Sequence, residues 1–168
     1  AGNQAITGNI VSTSNDVGSK IIIANGANTA TFNSAIGVNG GSGVELLIVE
    51  AGTRGNATFS STVNANTVDI DADAGASVMD FNGNVEGGTW NIETGGGGNT
   101  VAVNFAGNIT LTTLNIDKET AEATVTFDGS SAQTVAGNIT VSTNGDGILA
   151  ISNTNNSGVT FEDDIGTN

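Results

Sequence analysis

Six phenylalanines, Phe32, Phe59, Phe81, Phe105, Phe127 and Phe161, punctuate this chain at gaps of 27, 22, 24, 22 and 34 residues. Four residues after the Phe comes a branched apolar residue in five of the six cases: Ile36, Val63, Val85, Ile109 and Ile165. A second apolar group then follows, Leu46-Leu47-Ile48, Val68/Ile70, Trp90/Ile92, Leu114/Ile116 and, after the long gap, Leu149/Ile151. A fixed offset that recurs every 22 to 27 residues is the mark of a stacked repeat, in which each unit buries its apolar face only against its neighbours. Phe127 departs from the rule, because Ser131 stands four residues on. Val135 and Ile139 restore the spacing, so Phe127 is assigned to an enlarged loop or half-coil and Val135 to the Phe position. Ile6 and Ile10 show the same offset near the start, and the chain reads as about seven units, the last incomplete.

Within a unit the period is two. Thr124-Val125-Thr126-Phe127, Thr100-Val101-Ala102-Val103 and Leu114-Asn115-Ile116 alternate polar and apolar, which makes half-buried strands. Lys118 to Ala123 has helix-like composition but lies between strand signals and is read as a turn. Clusters at Asn39-Gly40-Gly41, Gly95 to Asn99 and Asn144-Gly145-Asp146-Gly147 supply residues that accept the conformations of tight turns. The fold class expected is all-β, a parallel β-helix or β-solenoid of about seven coils, forming one segment over residues 1–168. Coils spaced by about 4.8 Å would make a rod of roughly 34 Å, with Phe and Ile stacked inside and Asn or Thr ladders along the turns. A β-sandwich is the alternative, since it too uses short strands with regular turns. It does not require the Phe offset to recur.

A longer period overlies the short one. Residues 4–37 align without gaps to residues 133–166, at an offset of 129, with eleven of 34 positions identical. Gln4/Gln133, Gly8-Asn9-Ile10/Gly137-Asn138-Ile139 and Phe32/Phe161 are among them. The end of the sequence therefore begins to repeat its beginning, and the expectation is a portion of a longer repetitive chain; the initial Ala1 fits a processed or partial sequence.

The phrases Phe127-Asp128-Gly129-Ser130-Ser131-Ala132-Gln133-Thr134-Val135-Ala136-Gly137-Asn138-Ile139 and Val159-Thr160-Phe161-Glu162-Asp163-Asp164-Ile165-Gly166 resemble the strand repeats of bacterial surface proteins. The likeness is to S-layer-like proteins and to autotransporter passenger domains of the rickettsial outer-membrane type. It implies an extracellular location on the bacterial cell surface and a structural or adhesive role.

Side-chain chemistry narrows the classes further. The chain has no His and no Cys, so serine or cysteine triads and zinc, copper or haem sites lack their usual groups. Seventeen acidic residues face three basic ones, Lys20, Arg54 and Lys118, for a net charge of −14. Nucleic acid and anionic membrane surfaces are disfavoured as partners, because both require basic patches. No run approaches the roughly 20 apolar residues of a membrane helix, so membrane insertion of this segment is not expected. Absence of Cys leaves the redox compartment open.

Carboxylates remain. Asp69, Asp71 and Asp73 fall on one face of a strand whose other face is Val68, Ile70 and Ala72, and Asp80 is twelfth in a frame from Asp69, as in an EF-hand loop. Ala74 stands where that loop needs Gly, and the alternation reads as strand, so the four are candidates for calcium or a solvated acidic face. Gly40 to Leu46 resembles one calcium-binding nonapeptide with Glu45 in place of Asp, but stands alone. Glu162-Asp163-Asp164 is a third acidic cluster, read as a turn. Gly95 to Gly98 is not followed by the Lys or helix of a phosphate loop. Sequons at Asn56, Asn108, Asn138 and Asn155 are what an Asn- and Thr-rich chain gives by chance. A glycosidase needs two placed carboxylates with aromatic platforms, and Trp90, the sole Trp, reads as core.

The expectation is a self-associating surface-layer or filament component, not an enzyme. The alternatives are an adhesin passenger or fibre shaft whose loops meet a host receptor or cell-surface glycans, and a carbohydrate-active β-helix enzyme.

Overall fold

The computed structural model describes residues 2–11, 20–24, 26–37, 44–49, 55–72, 75–142 and 147–166. Its elements are strands alone: β1 (Gln4–Ile6), β2 (Lys20–Ile23), β3 (Thr29–Phe32), β4 (Val44–Val49), β5 (Asn56–Phe59), β6 (Val63–Asp71), β7 (Ser77–Phe81), β8 (Val85–Thr94), β9 (Val101–Phe105), β10 (Ile109–Lys118), β11 (Ala123–Phe127), β12 (Gln133–Val141), β13 (Ile148–Ile151) and β14 (Val159–Phe161). Odd-numbered strands form one seven-stranded parallel sheet in the order β1-β3-β5-β7-β9-β11-β13. Even-numbered strands form the other, β14-β12-β10-β8-β6-β4-β2. A chain that visits two parallel sheets in strict alternation is a β-solenoid, not a sandwich of antiparallel sheets. It makes about five turns. The expected figure of about seven matches the strands per sheet, but the three-residue β1 and β14 at the ends do not complete coils.

Burial follows the period-two alternation. In β9 and β11 every first, third and fifth residue is buried and the others half-exposed. The long even strands shift phase midway: Val63 and Ala65 point inward, then Val68 and Ile70. Ile109 and Leu111, then Leu114 and Ile116, do the same two coils on, where the ladder is irregular between Thr110 and Thr113. Each long strand thereby turns a corner, and the second sheet wraps the core from two sides.

Phenylalanine rings fill the interior as a stack. Centroids of Phe32, Phe59, Phe81, Phe105 and Phe127 follow one another at 4.9, 4.6, 5.3 and 6.0 Å, with planes within 22° of parallel. Trp90 sits beside the stack, 5.1 Å from Phe81, and its indole N–H donates to the Ala65 carbonyl at 3.2 Å. Stacked, offset rings in a dry core add to their area burial, so this column contributes cohesion between coils beside the strand ladders.

The structure corrects three positions in the repeat. Phe127 is not in a loop: it pairs with Phe105 and continues the ring stack. Val135 does not take the Phe position but pairs with Ile109, in the column that follows the corner. Phe161 pairs with Val135 in the second sheet, whereas Ile151 is the residue opposite Phe127. The cause is an enlarged corner after Phe127. Gln133, 2 % exposed, closes it: its amide donates to the carbonyls of Phe105 and Gly107 at 2.8 and 3.0 Å, and its oxygen accepts from Gly129 N and Asn153 Nδ2 at 2.9 and 2.6 Å. A buried amide with all these partners rigidifies the corner it fills. Of Lys118 to Ala123, the two end residues belong to β10 and β11, and residues 119–122 form the short link between them that the setting suggests.

Residues related by the 129-residue offset make like pairings, of a kind that other coils also make. Gln4, Ile6 and Ile10 pair with Ala30, Phe32 and Ile36; Gln133, Val135 and Ile139 pair with Val159, Phe161 and Ile165. The bonds repeat as well. Asn33 N donates to Ile6 O at 3.0 Å, and Glu162 N to Val135 O at 2.9 Å. Gly37 N donates to Ile10 O at 2.8 Å, and Gly166 N to Ile139 O at 2.9 Å. At the corner, Gly8 N donates to Ser34 Oγ at 3.1 Å and Gly137 N to Asp163 Oδ2 at 2.7 Å, with φ of 106° and 114° at the two glycines. The first copy places β1 and β3 in the first sheet and β2 in the second, whereas the second copy places β12 and β14 in the second sheet and β13 in the first, so the unit returns displaced by one side of the coil.

Candidate functional site

Asp69 and Asp71 stand where the alternation of β6 predicts, on the outer face, each half-buried beside the buried Val68, Ile70 and Ala72. Asp73 lies outside the described residues, as do Gly40 to Gly43. Asp80 is not brought to them. It belongs to β7, in the other sheet, and its Oδ1 accepts from Asn104 Nδ2 at 2.7 Å. The EF-hand frame therefore fails on topology: a strand pair of a solenoid separates the residues that a single calcium loop would fold together.

Stacking supplies different neighbours. Asp71 pairs with Glu93, and Glu93 with Asp117, so three carboxylates stand in register on successive coils, about 4.8 Å apart along the stack. Beside them runs a polar row, Asp69, Asn91, Asn115 and Thr140, in which Thr140 Oγ1 donates to Asn115 Oδ1 at 3.1 Å. A third row, Thr67, Thr89 and Thr113, completes a flat outer face of hydroxyl, amide and carboxylate groups. The sequence carries the signal for this: Asp71, Glu93 and Asp117 each follow the inner Ile70, Ile92 and Ile116. It is visible only once the units are laid over one another at the right register.

Charge repulsion marks the row. The Glu93 carboxyl titrates above the usual carboxylate range, first through desolvation and then through the negative charges of Asp69, Asp71, Asp117 and Glu119. Burial raises Asp69 too. Lys118, next to Asp117, turns to Glu122 at 3.3 Å, the ion pair found among the described residues. The donors are all oxygen, the set that suits a hard cation. Among the described residues, however, no three His, Cys, Asp or Glu side chains converge closely enough to hold a metal ion, so the row is a linear array and not a cage. Glu162, Asp163 and Asp164 lie exposed at the far end of the stack, with Asp163 engaged by Gly137 N.

Asparagines bind coil to coil at the corners. Asn84 Oδ1 accepts from Asn108 N at 3.0 Å, and Asn108 Oδ1 from Thr134 N at 2.9 Å. Asn3 and Asn56 receive Thr29 N and Val78 N in the same way. No helix among the described residues is long and apolar enough to cross a membrane. Comparison of the chain with family models, with curated proteins and with solved structures finds no match.

Proposed function

We propose that this chain is a structural component of a bacterial cell surface, a solenoid that self-associates into a layer or filament outside the cell. The observation that carries the reading is the register of the two parallel sheets. Position for position, the coils repeat inside as Phe, Ile and Val, and outside as flat rows of Thr, Asn and carboxylate. Such a body offers length and extended regular faces, the properties a lattice or fibre uses. The resemblance of its repeats to those of S-layer-like proteins and autotransporter passengers supports the same location.

A net charge of −14 opposes close approach of copies. Divalent cations, calcium first among them, act between molecules by bridging or screening the carboxylate rows. Electron microscopy of the protein across ionic strengths, with calcium and with a chelator, tests this. Ordered sheets or filaments should form with calcium or at moderate salt and disperse in chelator at low salt. Assemblies indifferent to both would remove the cation from the proposal, and isolated rods under every condition would remove self-assembly.

A further inference from the structure

We propose that two copies of this chain pair side by side, the outward face of the first sheet of one packed on the same face of the other. The inference rests on the self-assembly reading and names the surface of contact. Its ground is the inner run of that sheet, β3, β5, β7, β9 and β11, each of which has a neighbouring strand on both sides. Each presents two side chains outward, and all are Thr, Asn, Asp, Ala or Val. None is longer than Asn, so the face is flat. Asp80 is the one charge on it, and its Oδ1 accepts from Asn104 Nδ2 at 2.7 Å. Val78, between Asn56 and Ala102 in the ladder, is 40 % exposed and gives the face an apolar spot in line with Ala102.

Charge selects the occupant. The chain carries a net charge of −14, and its acidic rows lie on the second sheet, where Asp71, Glu93 and Asp117 stand in register beside Asp69. Second sheet against second sheet sets these rows against each other. First sheet against second strips water from carboxylates and supplies no cation in return, which is costly. First sheet against first does neither, and it keeps the acidic rows of the two copies apart. Thr and Asn side chains hold donors and acceptors together, so a face built of them can hydrogen-bond to its own copy.

Sheets packed face to face sit about 10 Å apart with their side chains interdigitated, which short side chains permit. Five strands, each about four residues long, make a patch of roughly 24 Å by roughly 14 Å. That is small beside the interface of a permanent dimer, so the pairing is concentration-dependent.

The chain has no cysteine, which makes single thiols clean probes. Ala102→Cys places one in β9 on the neutral face, and Asn91→Cys places one in β8 between Asp69 and Asn115 on the acidic face. Each variant is alkylated with a maleimide, dispersed and then assembled in moderate sodium chloride without calcium, where no cation bridges the carboxylates. Assembly should slow labelling at Ala102→Cys by roughly tenfold or more, as a packed interface excludes water, and leave Asn91→Cys unchanged. Ala102→Glu should stay dispersed where the parent assembles, with thermal unfolding as the check that it folds; should it not fold, the thiol pair alone carries the test. Slowing at Asn91→Cys alone would move the contact to the acidic face. Slowing at both would mean neutral face on acidic face, and slowing at neither in visible assemblies would place the contact elsewhere. Each of these three overturns the pairing while leaving self-assembly standing. A parent that stays dispersed under every condition would remove both.

Discussion

Two residues show how polar groups are managed on and beneath the surface of the stack. Glu93 is held above its ordinary titration range, so the folded state takes up its proton more readily than the unfolded chain does. Its contribution is therefore most favourable below the unfolded carboxylate pKa and is lost as pH rises through the elevated folded value. Replacing it by Gln should raise stability at neutral pH by about 0.5 kcal/mol, the scale of a cross-strand charge contact, and flatten the decline on the alkaline side of that transition. Chemical denaturation at a series of pH values checks both; an unchanged pH profile would contradict the assignment. Gln133 is the opposite case, a buried amide with four partners. Gln133→Ala should cost roughly 2–4 kcal/mol, and Gln133→Met nearly as much although it keeps the volume, because each takes their partner from Gly129 N and the Gly107 carbonyl and leaves the Phe105 carbonyl with Asp128 N alone. Full rescue by Met in urea unfolding would show that packing alone matters there.

Strands in this molecule are stabilised by the coils on either side, so stability should grade along the stack. The middle elements β7 to β11 contain Phe81, Trp90, Phe105 and Phe127, buried to 1 % exposure or less. β13 and β14 at one end leave Ile148 and Ile151 uncovered and Phe161 half-buried. In a nearest-neighbour array an end coil loses one of its two interfaces and opens first. Amide hydrogen exchange should accordingly be slowest in β9 and β11 and faster in β1, β13 and β14. Equal protection from end to end would indicate a single cooperative unit.

For the whole molecule the dominant long-range force is its own charge. With a net charge of −14 and flat acidic rows, the folded state compresses like charges that the unfolded chain spreads apart. Raising ionic strength from about 0.01 M to about 0.15 M shortens the screening length from roughly 30 Å to roughly 8 Å. The melting temperature of the dispersed protein should rise over that interval by several degrees in a thermal scan, sodium chloride sufficing without calcium. A fall with salt would mean that attractive pairs outweigh repulsion, against the balance of 17 acidic and three basic residues.

The recurring Phe offset and the two-residue alternation determined the solenoid before any tertiary information, because only stacked coils ask the same residue of the same place every 22 to 27 positions. The outer placement of Asp69 and Asp71, the inner placement of Trp90 and the link at 119–122 came from local pattern alone. Register did not. An enlarged corner after Phe127 displaces the strands beyond it, so Phe161 and Ile151 exchanged the sheets that their spacing suggested. The linear count to twelve likewise tied Asp80 to Asp69, whereas the fold ties Asp71 to Glu93 and Asp117. Sequence spacing measures distance along the chain, and in a solenoid the neighbours that set charge and contact lie one coil away. That distance is fixed by how many residues each corner consumes, which depends on buried partners such as Gln133 and not on the local pattern.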